Sequence, residues 1–261
     1  MSAPDIHPQA IVASSAKLGA GVKVGAYAIV GDDVQLGDGC VLHSHAVVLG
    51  PSKFGKNNVL HSFSCIGGDP QDLKFFGEKT ELIVGDNNTF REYSTVSRGT
   101  VGGGGRTTMG SGSLIMASSH IGHDCHIGDQ TLFVNGATLA GHVTVEDFAT
   151  IGAFSPVHQF CRIGRYAYIG AATVITQDVP PFCRVVTERE TKNYGVNSIG
   201  LERKGFSPER LKFLQRAFRL LSRSKMNTTQ ALKEIRKTLG DSSDVLELLQ
   251  FVETAERGVV K

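Results

Sequence analysis

An apolar residue recurs at every sixth position through most of the first two thirds of the chain. The spacing holds without a slip over residues 6–66, 84–96 and 109–175. A period of six fits neither an α-helix nor a long alternating strand. It indicates a short strand and a turn repeated many times, which is the signature of a parallel β-solenoid.

The other positions of the six-residue unit support this interpretation. Two residues before the apolar position the side chain is small or modest, as at Ala28, Ala46 and Ala137, so small and large side chains would alternate inside. Glycine directly follows the apolar position in half of the units, and we expect it there because the corner needs a positive φ. Three units form a coil of 18 residues, and successive coils would stack about 4.8 Å apart.

The repeat has two interruptions and a defined end. The interruptions, at about 68–82 and 98–108, predict two external loops, and loops carried by a rigid scaffold are where function concentrates. The regular spacing stops at Pro180 and Pro181, because two successive prolines remove hydrogen-bond donors from a sheet.

A helical period replaces the six-residue period in the last part of the chain. Ser207 precedes a proline at a predicted first turn, and Thr228 or Thr229 is a predicted cap of a second helix. We therefore predict a β-helix of residues 1–186 and a small helical domain of residues 187–261.

Composition and charge exclude several classes of protein. The net charge of +2 disfavours a dedicated nucleic-acid binder. The sequence has neither a membrane-spanning apolar segment nor a secretory signal. Five cysteines are an odd number, which indicates reduced thiols in a cytoplasmic protein. Three of them fall on the small inward position and should pack in the core: Cys40, Cys125 and Cys161.

The helical region has an uneven charge. Residues 203–237 contain eleven lysines or arginines, and Glu209 and Glu234 are the only acidic residues among them. Such a cluster is either a solvated helix face or a docking surface for an acidic partner or for phosphates.

Three histidines form the run His120, His123 and His126, whose spacing suggests a metal site. Three units in each coil give the solenoid the form of a three-sided prism. One repeat unit separates His120 from His126, so the two side chains should lie on different faces of this prism. A zinc site needs ligands that converge on one point. We therefore predict no metal site in this run.

The 18-residue coil predicts a different arrangement around His123. It stacks His123 beside Gly141, and Asp124 beside His142. An imidazole with a neighbouring carboxylate is typical of a general base, because the carboxylate orients the ring. The glycine leaves room for a substrate and an N–H for an oxyanion. The alternative is a column of polar corner residues without chemistry.

Several segments of the chain together resemble the UDP-N-acetylglucosamine acyltransferase family of the lipid A pathway, whose members are hexapeptide-repeat acyltransferases. The segments that carry the resemblance are Gln71-Asp72-Leu73-Lys74, Arg98-Gly99-Thr100, His120-Ile121-Gly122-His123-Asp124-Cys125, Ala140-Gly141-His142-Val143, Val157-His158-Gln159-Phe160-Cys161, Gln177-Asp178-Val179-Pro180-Pro181, Gly195-Val196-Asn197 and Gly205-Phe206-Ser207. The resemblance spans the whole chain. It implies a left-handed β-helix, a homotrimer, and transfer of a (3R)-3-hydroxyacyl chain from acyl carrier protein to the 3-position of UDP-N-acetylglucosamine.

The same resemblance implies roles for individual residues. His123 would be the general base, Asp124 would hold its ring, and the Gly141 N–H would meet the oxyanion. Contacts with the sugar nucleotide or acyl chain would come from Asp72, Lys74, His120, His142, His158, Gln159, Asn197 and Arg203. The acidic carrier protein would dock on the helical domain at Lys204, Arg210, Arg216, Arg219 and Arg223. The acyl donor is the carrier protein, and neither a metal nor another cofactor is expected.

The chain departs from the family pattern at four places. Ser97 stands where the family often has histidine, and Glu188-Arg189-Glu190 replaces a Gly-Asn-His stretch. Ile199 falls where a nucleotide-contacting glutamate is often found. Ala171 replaces a glycine that admits a long acyl chain, so its methyl group would shorten the preferred chain.

Three other functions compete with this interpretation. The nearest is an acyltransferase for a related sugar nucleotide, for example one with a 3-amino acceptor. A trimeric zinc carbonic anhydrase uses the same prism, but that family carries two histidines five positions apart, and no pair here has that spacing. A non-catalytic scaffold would favour regular outward threonine ladders, which the sequence lacks.

Overall fold

The protein is described here from a computed structural model. The described residues are 2–187, 195–223, 226–255 and 259, without the side chain of Arg223. The chain divides into two units, Met1–Thr187 and Glu188–Lys261. Within the described residues, no helix is both long and apolar enough to cross a membrane. The substituted segment Glu188-Arg189-Glu190 and the side chain of Arg223 lie outside the described residues.

The first unit is built from 26 short strands, most of them two residues long. In chain order they are β1 Asp5–Ile6, β2 Ile11–Val12, β3 Lys17–Leu18, β4 Lys23–Val24, β5 Ile29–Val30, β6 Val34–Leu36, β7 Val41–Leu42, β8 Val47–Val48, β9 Ser52–Phe54, β10 Val59–Leu60, β11 Cys65–Gly68, β12 Glu81–Val84, β13 Thr89–Phe90, β14 Thr95–Ser97, β15 Arg106–Met109, β16 Leu114–Ile115, β17 His120–Ile121, β18 His126–Ile127, β19 Leu132–Phe133, β20 Thr138–Leu139, β21 Thr144–Val145, β22 Thr150–Ile151, β23 Pro156–Val157, β24 Arg162–Ile163, β25 Tyr168–Ile169 and β26 Arg184–Val185.

These strands form three parallel sheets, which we call faces 1, 2 and 3. Face 1 contains β1, β4, β7, β10, β13, β16, β19, β22, β25 and β26, face 2 contains β2, β5, β8, β11, β14, β17, β20 and β23, and face 3 contains β3, β6, β9, β12, β15, β18, β21 and β24. Each strand from β1 to β22 pairs with the strand three places further along the chain, and β26 pairs with β25 at the end of face 1. His120 thus pairs with Thr138 at the 18-residue spacing that the repeat predicts. The prediction of a parallel β-solenoid is therefore confirmed.

The interior of the prism is filled by two positions of the repeat. The apolar position supplies large side chains such as Ile121 and Leu139, and the position two residues earlier supplies small ones such as Ala137, all fully buried. The three cysteines expected in the core are buried, and all five cysteines are free thiols. Burial raises the pKa of the Cys125 thiol to about 12, so this thiol is unreactive at neutral pH.

The expected reason for the glycines after the apolar position is wrong except at Gly67, whose φ is +85°. Positive φ values occur two residues later, mostly at other residue types such as Tyr27 and His45. The glycines are needed because adjacent coils touch there. A Cβ built on Gly37 would lie only 2.4 Å from the carbonyl oxygen of Gly55 in the next coil.

The two interruptions of the repeat are loops between strands of adjacent faces. The first loop spans 69–80, and the second spans 98–105 and contains a short 3₁₀-helix, Val101–Gly103. The second loop is shorter than expected, because Arg106–Met109 already pairs with Glu81–Val84 of the coil before. Both loops therefore leave the prism from well-paired strand ends.

Arg98 joins the bases of the two loops. Its guanidinium is almost fully buried and donates hydrogen bonds to the carbonyl oxygens of Gly50 and Gly67, and to the carboxylate of Asp69. A buried cation needs such partners, since an unpaired one would be costly. The first loop is thus fixed to the prism next to the start of the second.

The second unit contains four helices: α1 Ser198–Arg203, α2 Pro208–Arg223, α3 Thr228–Leu239 and α4 Ser243–Thr254. The sequence did not predict α1, which is too short to show a period. The cap of α3 is Asn227, and not Thr228 or Thr229 as expected. The Asn227 side chain accepts from the Gln230 N–H, and the Gln230 side chain accepts from the Asn227 N–H. Ile199, where the family often has glutamate, is exposed on α1.

Phe133 offers a test of how the prism is stabilised. Its side chain is fully buried in β19, so replacement by alanine would leave a cavity between coils. We expect Phe133→Ala to lower the free energy of unfolding by about 3–5 kcal/mol, measured by urea denaturation. Phe76 in the first loop is 88% exposed, so Phe76→Ala should change it by less than about 0.5 kcal/mol. Equal effects of the two substitutions would contradict this account of the core.

Candidate active site

His123 and Asp124 lie at the corner between β17 of face 2 and β18 of face 3. Asp124 has a φ of +59°, a left-handed conformation that aspartate tolerates better than most residues. Its N–H donates to the hydroxyl of Thr107, at 2.8 Å. The Asp124 carboxylate is completely buried, while 15% of the His123 side chain stays accessible.

The two side chains are joined by a short hydrogen bond. His123 Nδ1 lies 2.8 Å from Asp124 Oδ2. Because an ionised carboxylate only accepts hydrogen bonds, Nδ1 carries the ring proton and Nε2 keeps its lone pair. Nε2 makes no hydrogen bond with any described residue, so it is available to accept a proton.

The second loop supplies further partners to the carboxylate. The Thr100 N–H donates to Asp124 Oδ1 and the Thr100 hydroxyl donates to Asp124 Oδ2, each at 2.7 Å. The six-residue period gives no sign of this contact, because the loop lies outside the repeat. The only signal in the sequence was that Arg98-Gly99-Thr100 belongs to the segments that carry the family resemblance.

Gly141 lies above His123 on the next coil, as the 18-residue spacing predicts. A Cβ built on Gly141 would be 2.5 Å from His123 Cε1, so only glycine leaves the ring in place. The Gly141 N–H has no acceptor among the described residues. On a different edge of the prism, between faces 3 and 1, the N–H groups of Ser111 and Asp129 are bound by the carboxylates of Asp129 and Asp147. The Gly141 N–H is therefore free to bind an oxyanion.

His142 completes a cluster with His123 and Asp124. Its ring packs edge-on against His123, with centroids 5.1 Å apart, and stacks on Phe160. One ligand atom from each of His123, Asp124 and His142 lies within 4.8 Å of the others, a spacing that suits a metal ion. Both oxygens of the Asp124 carboxylate already accept hydrogen bonds from Thr100 or His123. The arrangement therefore favours a general base at His123, oriented by Asp124, over a metal site.

The positions of the other histidines in this run agree with the prediction from the repeat. His120 lies in β17 on face 2, and His126 lies in β18 on face 3. His120 Nδ1 is 2.8 Å from the hydroxyl of Thr95. Burial, and then the charge of nearby His123, lower the pKa of His120. His120 is therefore suited to contact a substrate as a neutral hydrogen-bonding group.

A cleft of about 500 Å³ lies in front of these groups. Five of the residues predicted from the resemblance line it: His120, His123, Gly141, His158 and Gln159. Gln71 from the base of the first loop and Ser97, one of the departures from the family pattern, also line it. Ser97 is nearly buried. This departure from the family pattern therefore changes the wall of the cleft and not the exposed surface of the protein.

Predicted residues of the first unit also lie outside the lining of this cleft. Asp72 and Lys74 lie in the first loop, where Asp72 accepts from the Lys74 N–H, and neither lines the cleft of its own chain. Ala171 is exposed and also lies outside the lining. Asn197 caps α1 and Arg203 ends it, both in the second unit. Contacts of these five residues with a substrate stay predictions, as does the contact predicted for His142, which does not line the cleft either.

The second unit carries a separate cleft of about 830 Å³ along α2. Eight residues line it, among them the acidic residue Glu209. We call four of the eight the basic groove: Lys212, Phe213, Arg216 and Arg219. No described carboxylate lies within salt-bridge distance of its three cations. Arg210, predicted to dock a partner, has a different role. It donates two hydrogen bonds to the Asp244 carboxylate, at 2.8 and 2.7 Å.

Comparison with family models gives two matches. The model described as domain 2 of UDP N-acetylglucosamine O-acyltransferase matches residues 178–260. The bacterial transferase hexapeptide model, which consists of six repeats, matches residues 15–50 and 106–141. Together they cover both units of the chain.

Individual relatives match over nearly the whole chain. The acyl-[acyl-carrier-protein]–UDP-N-acetylglucosamine O-acyltransferase of Alkalilimnicola ehrlichii is 53% identical over 256 residues, 98% of this chain and 99% of the relative. The protein of the same name from Xylella fastidiosa is 51% identical over 256 residues, 98% of this chain and 97% of the relative. The crystal structure of UDP-N-acetylglucosamine O-acyltransferase from Moraxella catarrhalis matches with a TM-score of 0.69 and 38% identity, over 98% of this chain and 99% of that one. These matches confirm a left-handed parallel β-helix followed by a small helical domain.

Proposed function

Since the chain belongs to the UDP-N-acetylglucosamine O-acyltransferase family, we propose that His123, Asp124 and Gly141 perform the acyl transfer. The protein is an acyltransferase that moves an acyl chain from acyl carrier protein to UDP-N-acetylglucosamine in lipid A biosynthesis. In the proposed reaction the chain is a (3R)-3-hydroxyacyl group and the acceptor is the 3-hydroxyl of the glucosamine.

The proposed mechanism is a direct transfer. His123 Nε2 takes the proton of the sugar hydroxyl. At the same time, the hydroxyl oxygen attacks the carbonyl carbon of the thioester. The carbonyl oxygen becomes an oxyanion and accepts a hydrogen bond from the Gly141 N–H. The carbonyl then re-forms, the C–S bond breaks, and the departing thiolate of the carrier protein takes the proton from the imidazolium. Asp124 keeps the ring oriented throughout and stabilises its charged form.

The observation that carries the proposal is the pairing of a free acceptor with a free donor. His123 Nε2 and the Gly141 N–H have no hydrogen-bond partner among the described residues, and both residues line one cleft. Cys125, the nearest thiol in sequence, points into the core and donates to the Ala140 carbonyl oxygen. The cleft thus contains a base and an oxyanion donor without a neighbouring thiol nucleophile.

One experiment tests the acceptor and the acyl chain length together. The protein is incubated with UDP-N-acetylglucosamine and its 3-amino analogue, and with carrier proteins bearing 3-hydroxyacyl chains of several lengths, and the products are weighed by mass spectrometry. We expect one ester product, with a preference for shorter chains if the Ala171 methyl limits the acyl site. Acylation of a 3-amino sugar nucleotide alone would favour the related acyltransferase.

We also propose that the carrier protein docks on the basic groove. Lys212, Arg216 and Arg219 offer unpaired charges beside Phe213, a combination that suits an acidic surface with an apolar centre. Lys204 and Arg223, which were predicted from the resemblance, stay part of this proposal. Arg210 is less suitable because its charge is already neutralised by Asp244.

Reversing two charges in the groove tests this docking. We expect Arg216→Glu combined with Arg219→Glu to raise the KM for the acyl carrier protein by about tenfold, with the larger effect at low salt. The turnover number at saturating donor should change little. The matched control is Lys17→Glu with Lys23→Glu, which makes the same charge change on strands of the prism. A rise in KM of the same size in the control would show a non-specific charge effect.

We further propose that the protein is a homotrimer in the cytoplasm. Exposed apolar side chains support an assembly, because a monomer rarely leaves such surface uncovered. Leu73 is 100% exposed in the first loop, and an exposed column of stacked rings follows one corner: Tyr27, His45, Phe63 and Tyr93. The five free thiols suit a reducing compartment. Light scattering of the purified protein measures the number of subunits.

A further inference from the structure

The carboxylate that holds the general base is itself held from outside the repeat. Asp124 accepts from three donors: the Thr100 N–H, the Thr100 hydroxyl and His123 Nδ1. The first two belong to the second loop, and they bind different oxygens of the carboxylate. A carboxylate held at both oxygens cannot rotate about its last bond, so Oδ2 stays directed at His123.

Thr100 is fixed by its own hydrogen bonds. Its hydroxyl donates to Asp124 and accepts from the Gly103 N–H at 3.1 Å, and its carbonyl oxygen accepts from the Gly105 N–H at 2.8 Å. Thr100 is the residue that caps the 3₁₀-helix of the loop. The hydroxyl therefore has one possible direction for its proton, which is toward Asp124 Oδ2.

The same loop closes the space over the carboxylate. A Cβ built on Gly103 would be 2.0 Å from Asp124 Cγ, which shows that the loop backbone is in contact with the carboxyl group. Asp124 is fully buried as a result, and Thr100 is 9% exposed. In such a dry site, hydrogen bonds to a charged group are stronger than in water and costly to lose.

We propose that Thr100 is a positioning residue of this acyltransferase. It acts through Asp124, whose orientation sets the ring of His123, and it does not touch the substrate. This inference rests on the proposed role of His123 as general base. The second loop thereby contributes to catalysis although it carries none of the reacting groups.

The test compares two substitutions of one side chain. Thr100→Val keeps the shape and the N–H but removes the hydroxyl, whereas Thr100→Ser keeps both donors. We expect Thr100→Val to lower kcat by about 10- to 100-fold, the range of one charge-assisted hydrogen bond, and to change the KM for UDP-N-acetylglucosamine by less than about twofold. Thr100→Ser should retain kcat within about threefold of the unmodified protein. Full activity of Thr100→Val would overturn the proposal.

A matched control removes a different hydroxyl from the same prism. The Thr108 hydroxyl bonds a histidine away from the cleft, since it lies 2.9 Å from Nδ1 of His126 on face 3. Thr108→Val should leave kcat unchanged. A fall in kcat equal to that of Thr100→Val would overturn the proposal, because it would show that loss of any such hydroxyl slows the enzyme.

A double-mutant cycle separates positioning from a general structural effect. In protein that already carries Asp124→Ala, the hydroxyl has no carboxylate to hold, so Thr100→Val should lower kcat by less than about twofold further. Additive losses would overturn the inference. Gly103→Ala gives a second variant that keeps Thr100, and it should also lower kcat because the new methyl displaces the loop from the carboxylate. An active His123→Ala variant would instead refute the proposed function itself.

Discussion

Replacing His123 by alanine is expected to lower the turnover number at least a hundredfold while the protein stays folded. In the proposed reaction the sugar hydroxyl must lose its proton as it attacks, and a positioned general base contributes about 10²–10⁴-fold to such a step. His123 is partly accessible and lies outside the packed interior, so its loss should cost little stability. A single-turnover assay with carrier protein already loaded with the acyl chain measures the chemical step directly. Circular dichroism checks that the variant is folded.

His126 provides the matched control for that substitution. It lies three residues further on, in β18 of face 3, and its exposed side chain contacts Thr108 and not the cleft. His126→Ala should therefore act at the normal rate. Near-normal turnover of His123→Ala, or an equal loss in both variants, would contradict the assignment of the general base.

The prism was predictable from the sequence because one period determines both its local structure and its stacking. The apolar residue at every sixth position points into the interior, and three such units complete one coil. The 18-residue register between coils therefore follows from the sequence without knowledge of distant contacts. The same register places Gly141 above His123, as the hydrogen bond from the His142 N–H to the His123 carbonyl oxygen shows. This part of the candidate site is a consequence of the repeat.

The contacts of the second loop were not predictable in the same way. Nothing in the spacing of residues shows that Thr100 reaches Asp124, because an inserted loop has no register with the coils. Its path depends on the buried Arg98 and on the glycines that let the backbone approach the carboxylate. The cap of α3 at Asn227 shows a related limit, since three neighbouring polar residues each suit that position by type.

The N–H of Gly141 was expected from the 18-residue stacking, which places this glycine beside His123. Carboxylates bind the N–H groups at the same position of the unit along a different edge of the prism, between faces 3 and 1, as Asp147 does for Asp129. Gly141 lies on the edge between faces 2 and 3, and its N–H has no acceptor in the described residues. The cleft in front of this N–H was not predictable from the repeat, because residues of several coils and of the first loop line it.

Gly141→Ala is expected to lower kcat by about a hundredfold without unfolding the protein. The new Cβ would lie 2.5, 2.7 and 3.0 Å from three atoms of the His123 ring, closer than real contacts allow. Since Asp124 holds the ring from the other side, the imidazole must move out of line with the substrate. A displacement of about 1 Å in a reacting group costs on the order of 10²-fold in rate. A steady-state assay with saturating UDP-N-acetylglucosamine measures this loss.

Gly102→Ala is the control that separates this collision from a general effect of replacing glycine. A Cβ on Gly102 meets no atom within 4 Å, so that variant should keep its activity. Gly141 has no positive φ, so alanine fits its backbone, and thermal unfolding of Gly141→Ala should stay close to normal. Wild-type turnover by Gly141→Ala would mean that the His123 imidazole can adopt another catalytically competent position beside the substrate. In that case the contact between these two coils would not be what positions the base.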